Sequence, residues 1–268
     1  GPARKRFGQH FLEAAWVAKV IRAIDPDPDD RFVEIGSGRG ALTRPLLEHV
    51  RSVLAFEIDR DLAEALGGSD PRLRVLAGDV LDTAPSFDAW GTEPLRVAGN
   101  LPYNVASPIL FMLRRLYLAG VPIVDATLML QREVADRLIA GPGGREYGVL
   151  SILIQQHADV RLVLALPPGA FRPPPKVRSA LVTVRFHPAA PAPLDQPLFE
   201  RLVQSVFMRR RKTLSNALLA FSESARLAPA DALARASIDG RRRPETLGIA
   251  ELARLADVYA TVSPAPGP

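Results

Sequence analysis

Cysteine is absent from this chain of 268 residues, which excludes disulfides, thiolate zinc sites and a cysteine nucleophile. Aromatics make up only 6% and histidines number 4. His49, His157 and His187 stand apart without the spacing of metal ligands, so no metal is expected. Long hydrophobic runs are missing too. No apolar stretch reaches the roughly 18 residues of a membrane span and no leader is expected, so the expected location is cytoplasmic, with no membrane partner. No internal repeat is present, apart from which only the Ser263–Pro268 tail is compositionally biased. Acids are outnumbered by bases, giving a net charge of +5, which favours a polyanionic partner.

What is present reads as a globular chain, 47% hydrophobic and 24% charged, of a length that suits one large domain or a main domain with a smaller one attached. A basic arm, Arg4-Lys5-Arg6-Phe7-Gly8-Gln9-His10-Phe11-Leu12, opens it. A helical stretch follows to about Ile24, ended by Asp25-Pro26-Asp27-Pro28. Strand patterns at Arg31–Ile35, Ser52–Glu57, Leu73–Leu76, Leu95–Ala98 and Ala126–Leu130 alternate with helical ones at Ala41–His49, Arg60–Leu66 and Ala106–Leu118. That alternation predicts an α/β fold whose mostly parallel sheet carries helices on both faces. After helical stretches at Gln131–Ile139 and Val149–His157, two more strands, Val160–Leu166 and Ala180–Phe186, complete seven. They flank a loop, Pro167 to Ser179, expected as an antiparallel excursion at a sheet edge. Pro188–Pro197 is the linker candidate, and the pattern beyond it is helical throughout. The expected domains are 1–188 and a small all-helical 189–268.

Three strand ends carry chemistry. Gly36-Ser37-Gly38-Arg39-Gly40 follows the first strand and opens a helix, an arrangement that lets a ligand approach the backbone and free N–H groups. Glu57, followed by Ile58, closes the next strand, where an acid accepts hydrogen bonds from ribose hydroxyls. Asp79, followed by Val80, ends the third and is placed to accept from an adenine amino group. Strand-end solvation is the competing explanation for both acids. NAD and S-adenosylmethionine both suit such a site. A dinucleotide fingerprint would put the last glycine three residues after the second, whereas Gly40 comes two after Gly38, which favours S-adenosylmethionine.

The fourth strand runs into Gly99-Asn100-Leu101-Pro102-Tyr103-Asn104. The Asn100 side-chain oxygen and a backbone carbonyl of Leu101 or Pro102 can accept hydrogen bonds from an exocyclic amine. Pro102 stiffens the loop, and Tyr103 offers a ring on which a base can stack. The competing reading is an ordinary Asn/Pro turn. An amine-reading loop beside a cofactor loop suits methyl transfer, and the lack of cysteine removes the covalent route to carbon 5 of cytosine.

These motifs, with Gln131-Arg132-Glu133-Val134-Ala135, Phe171-Arg172-Pro173-Pro174-Pro175-Lys176-Val177 and Arg209-Arg210-Arg211-Lys212-Thr213-Leu214, resemble the ribosomal RNA adenine dimethyltransferases, most closely the bacterial 16S enzymes. The resemblance runs nearly end to end. It implies a Rossmann-like class I methyltransferase domain and S-adenosyl-L-methionine as cofactor, with His10, Leu12 and Asn100 joining Gly36, Glu57 and Asp79 in its pocket. Position 10 is usually Asn in the family and is His here. Phe171 would face Tyr103 as the second wall of the base slot. The implied substrate is a pair of adjacent adenines in the 3′-terminal hairpin loop of 16S rRNA in the assembling 30S subunit, each dimethylated at N6, late in ribosome biogenesis. RNA capture is expected from Arg4, Lys5, Arg6, Lys176, Arg178, Arg209, Arg210, Arg211 and Lys212 through phosphate contacts; for the Arg209–Lys212 run a solvated helix face is the competing explanation, disfavoured by its place beside the expected domain junction. A monomer is expected.

Three other readings remain. A sister 23S rRNA adenine methyltransferase shares the cofactor and base motifs, but the Arg-Arg-Lys-Thr-Leu segment and helical tail favour the 16S substrate. A DNA adenine methyltransferase would place two prolines after its Asp or Asn, where Leu101 intervenes here. A non-catalytic assembly or transcription factor on the same fold is opposed by the intact Gly36, Glu57, Asp79 and Asn100.

Overall fold

The computed structural model describes residues 10–83 and 90–262. They divide into two compact units. The first takes in the described residues up to Ala135 with Asp159–Phe186, the second Asp136–Ala158 and those from His187 onward.

The first unit is built on a seven-stranded sheet. Its strands are β2 (Arg31–Ile35), β3 (Ser52–Glu57), β4 (Leu73–Ala77), β5 (Leu95–Asn100), β6 (Ile123–Gln131), β7 (Ala158–Leu166) and β9 (Ser179–Phe186), in the order β4-β3-β2-β5-β6-β9-β7. β2 through β6 run parallel, and β9 lies antiparallel to β6. The excursion expected after Leu166 therefore returns its second strand inside the sheet, between β6 and β7, rather than along the edge. Helices α1 (Ala14–Ile24), α2 (Thr43–Leu47), α3 (Arg60–Leu66), α4 (Val80–Thr83) and α5 (Ala106–Leu118) link and cover the strands. α2 begins later than its apolar pattern predicts because Pro45 has no N–H to donate to the Ala41 carbonyl.

Strand order reverses between β2 and β5. Right-handed crossovers then place the helices of the two wings on opposite faces, and the reversal opens a crevice at the carboxyl ends of those two strands. Close approach of β5 to β2 depends on Gly99, where a Cβ would lie 2.4 Å from the Ile35 carbonyl oxygen. A separate two-stranded ribbon pairs β1 (Phe11–Leu12) with β8 (Phe171–Arg172), Leu12 opposite Phe171. Both residues enter the core formed by Val20, Ile24, Phe32, Leu46 and Leu181.

The second unit is helical: α7 (Val149–Gln155), α8 (Gln196–Phe207), α9 (Leu214–Ala217), α10 (Leu219–Ala225), α11 (Pro229–Ala236) and α12 (Ile249–Ala260). Its core holds Phe199, Leu202, Leu218, Leu252 and Tyr259, all buried. Asp195 caps α8 by accepting from the Leu198 amide at 2.8 Å. A single cut near 188 misses what holds α7 in this unit. Gln156 and Gln196 exchange side-chain hydrogen bonds. The His187 and Ala190 amides donate to the carbonyls of His157 and Gln156 at 2.8 and 3.0 Å. The Pro/Ala stretch expected as a linker is thus stitched to the end of α7, because its backbone groups need partners as it leaves the sheet. Likewise the Pro142-Gly143-Gly144 loop is tied down within this unit, Gly143 donating to the Glu245 carbonyl at 2.7 Å. Among the described residues no helix is long and apolar enough to cross a membrane.

Candidate functional site

The crevice at the strand reversal holds two adjoining cavities. The inner one, about 90 Å³, is lined by Leu12, Glu34, Ser37, Gly38, Glu57, Asn100, Leu101 and Met129, among others. The outer one, about 440 Å³, is lined by Phe56, Gly78, Asp79, Val80, Asn104, Val105 and Ile109, among others. His10, Gly36, Ile58, Pro102 and Tyr103 line both.

One wall is set by the backbone. Gly36, at φ 76°, donates to the Phe56 carbonyl at 2.8 Å, and a Cβ there would press to 3.1 Å from the Asn100 carbonyl oxygen. Gly40, at φ 80°, donates to the Ser37 carbonyl at 2.9 Å and lines neither cavity. Its part is the turn, where a Cβ would lie 2.7 Å from Leu66. The Glu57 carboxylate, 3% exposed, accepts from the Gly38 amide at 2.6 Å and the Asp59 amide at 2.9 Å. Burial pushes its pKa up, opposed by those two amides. Asp79 accepts from the Leu81 amide at 2.9 Å and opens α4.

Glu34 is the residue on this wall whose role the sequence reading passed over. It is 1% exposed within β2, and its Oε2 has no hydrogen-bond partner among the described residues; neither does the buried Ser37 hydroxyl beside the same cavity. Thr43 lies nearby, but its hydroxyl is outside hydrogen-bonding geometry. Burial raises the Glu34 pKa to about 7, and the neighbouring Glu57 charge adds to the rise. An acid between Val33 and Ile35 in a buried strand is itself a signal, since unpaired carboxylates are rarely buried. Phe11, Arg39 and Met129 also line the inner cavity, with the Arg39 guanidinium 4.5 Å above the Phe11 ring. Only the ribbon pairing, invisible in local sequence, brings Phe11 there.

The opposite wall is made by side chains. Asn100 ends β5, and its Nδ2 donates to the His10 carbonyl at 2.7 Å. A carbonyl can only accept, so this bond fixes the amide orientation and leaves Oδ1 as the acceptor. The buried Leu101 donates its amide to the Met129 carbonyl at 3.2 Å, fastening the loop to β6. The Tyr103 hydroxyl bonds Ser179 Oγ at 2.8 Å, and burial raises its pKa. The His10 ring stacks on Tyr103, centroids 5.5 Å apart and planes at 26°. Its Nδ1 donates to the Pro173 carbonyl at 2.7 Å, so that nitrogen carries a proton.

Phe171 is not brought to Tyr103. It is 2% exposed and lines neither cavity, because pairing with Leu12 turns it into the core. The ring that does face Tyr103 belongs to His10. Of the expected RNA-binding residues, Lys176 and Arg178 are exposed on the loop before β9, and Arg178 accepts the Arg132 amide through its carbonyl. Arg209, Arg210, Arg211 and Lys212 occupy the turn after α8 in the second unit, following Met208, which is 86% exposed. Arg4, Lys5 and Arg6 lie outside the described residues. Among the described residues no group of three His, Asp or Glu is placed to hold a metal ion.

Comparison with known proteins bears on this geometry. A family model described as ribosomal RNA adenine dimethylase matches residues 2–259. The chain is 44% identical over 266 residues, covering 96% of it and 95% of the relative, to a protein of Pseudomonas syringae pv. syringae named Ribosomal RNA small subunit methyltransferase A. A dimethyladenosine transferase from Plasmodium falciparum shares the fold with a TM-score of 0.74 at 24% identity, over 92% of this chain and 96% of that one. The 23S rRNA methyltransferase ErmE does so with a TM-score of 0.69 at 24% identity, over 93% and 99%.

Proposed function

The chain belongs to the ribosomal RNA adenine dimethylase family, and from that premise we propose that it transfers methyl groups from S-adenosyl-L-methionine to the exocyclic N6 of adenines in 16S rRNA. The substrate is a pair of adjacent adenines in the 3′-terminal hairpin loop of the assembling 30S subunit, dimethylated by a single protein chain.

The residues present fit such a cofactor. Glu57, at the end of β3, suits ribose hydroxyls, and Asp79 at the end of β4 suits an adenine amino group. Glu34 Oε2 and Ser37 Oγ, buried without partners on the inner cavity, suit an amino-acid end that brings both donors and acceptors. When bound, the cofactor supplies an electrophilic methyl on a sulfonium centre.

The observation that supports the reading most is the fixed Asn100 amide. With Nδ2 committed to the His10 carbonyl, Oδ1 and the Leu101 or Pro102 carbonyl accept from the adenine amine. They favour a pyramidal nitrogen and aim its lone pair across the cavity. Tyr103 provides the ring for stacking a flipped-out base. Such positioning is worth roughly 7–11 kcal/mol when near-attack geometry is held. No strong base is required, because the methylated, cationic amine is acidic. Lys176, Arg178 and the Arg209–Lys212 turn supply phosphate contacts, and the second unit serves rRNA binding; recognition rests on the shape of the folded hairpin.

The test is methyl transfer from labelled cofactor to under-methylated 30S subunits, with 50S subunits and duplex DNA in parallel. Dimethyladenosine confined to the small-subunit 3′ hairpin is the expected product. Transfer to 50S subunits or to DNA instead, or cofactor binding without transfer, contradicts the proposal.

A further inference from the structure

The stacked His10 and Tyr103 rings stand where the two cavities meet, since both residues line both. On its own the inner cavity, about 90 Å³, falls well short of the roughly 300 Å³ at which small-molecule sites begin. Yet it holds the unpartnered Glu34 and Ser37 atoms and the Asn100 amide, while Asp79 lies on the outer cavity. A ligand reaching both Asp79 and Glu34 runs along the lining the two cavities share, His10, Gly36, Ile58, Pro102 and Tyr103, where the ring pair stands.

We infer that the His10 imidazole is a gate: its ring covers the Tyr103 face in the free protein and must rotate away before one ligand can span both cavities or a base can stack there. This rests on the proposed cofactor site.

The anchoring of His10 allows that movement. Its backbone carbonyl is held by Asn100 Nδ2 and the next residue begins the β1–β8 ribbon, so the main chain can stay in place. Rotation about the side-chain torsions gives up one hydrogen bond, to the Pro173 carbonyl, and one ring stack. His10 is thus a positioning residue. Its ring holds the slot in shape while the slot is empty, in the place that a base ring takes later. Two contacts of different chemistry, the Nδ1–H bond and the stack, keep the gate closed and can be removed separately.

The experiment uses the full chain and S-adenosylhomocysteine as probe. Stopped-flow association rates are measured for wild type, His10→Ala and His10→Phe, and the His10 ring-proton resonance of the wild type is followed by NMR during the titration. His10→Ala should bind roughly two- to tenfold faster, the factor matching one aromatic pair. His10→Phe, which keeps a ring over Tyr103, should be slower than His10→Ala. The wild-type resonance, displaced by the Tyr103 ring current when free, should move at saturation. Binding with unchanged association rates and an unmoved resonance overturns the gate and leaves the cofactor site standing. Absence of binding to the wild type overturns the proposed site and the gate with it. Should His10→Ala fail to fold, the wild-type resonance still decides.

Discussion

The two walls of the crevice are held by different means. On the β2–β3 side, Gly36, Gly38 and Glu57 are tied by main-chain amides and by turns that only glycine adopts easily. On the β5 side, His10, Asn100 and Tyr103 are held by one another's side chains and by Ser179 and Pro173. Backbone geometry can change only by refolding the turn, whereas side-chain contacts can be exchanged one at a time. The first wall therefore suits a ligand of constant shape. The second suits a substrate that enters as a folded RNA, is read at one amine and, for a second transfer, carries a methyl where a proton was.

Variants sharpen or break that division. The largest effect is expected for Asn100→Ala. Single-turnover transfer should fall by roughly 10²–10³-fold, as when one oriented transition-state hydrogen-bond group is lost, far more than cofactor affinity falls by calorimetry. Glu34→Gln comes next. The folded-state pKa near 7 exceeds the ordinary 4.5, so the native protein binds more protons than the unfolded chain between those values. Stability from this group is therefore fullest below pH 4.5 and is lost as pH rises through 7, by about 3 kcal/mol in all. Urea denaturation at pH 5 and pH 8 should show Glu34→Gln flattening that slope; parallel profiles would refute the buried acid.

Glu57→Gln removes the charge that collects the Gly38 and Asp59 amides. It should weaken cofactor binding by about 1.5–3 kcal/mol, the range for hydrogen bonds to charged groups, read by calorimetry. Gly36→Ala has the smallest effect but reaches both walls, because its Cβ meets the Asn100 carbonyl oxygen and its φ is positive. A loss of about 1–2 kcal/mol should appear in binding and turnover alike. If it appears in binding alone, the walls are less coupled than the Gly36–Asn100 approach implies.

Local sequence made the first wall readable. Its glycines and strand-end acids announce themselves within a few residues, as does the Asn-Leu-Pro-Tyr loop of the second wall, and the strand alternation orders them. The second wall depends on contacts across the chain. Leu12 meets Phe171, and His10 meets Pro173, only through the β1–β8 ribbon. That pairing buries Phe171 and puts His10 in the place expected of it. Glu34 was visible as an acid among apolar neighbours, but its missing partner appears only once the fold surrounds it. The assignment of α7 to the helical unit was equally hidden, because Gln156 and Gln196 lie far apart in sequence and carry no pattern.

The division of labour is tested most directly by crossing two variants, Asn100→Ala and Glu57→Gln. Each is titrated with S-adenosylhomocysteine, and each is assayed for single-turnover methyl transfer to 30S subunits at saturating cofactor. The expected pattern is crossed: Asn100→Ala loses mainly rate, while Glu57→Gln loses mainly affinity and recovers its rate at saturation. Parallel losses of affinity and rate in both variants would contradict it.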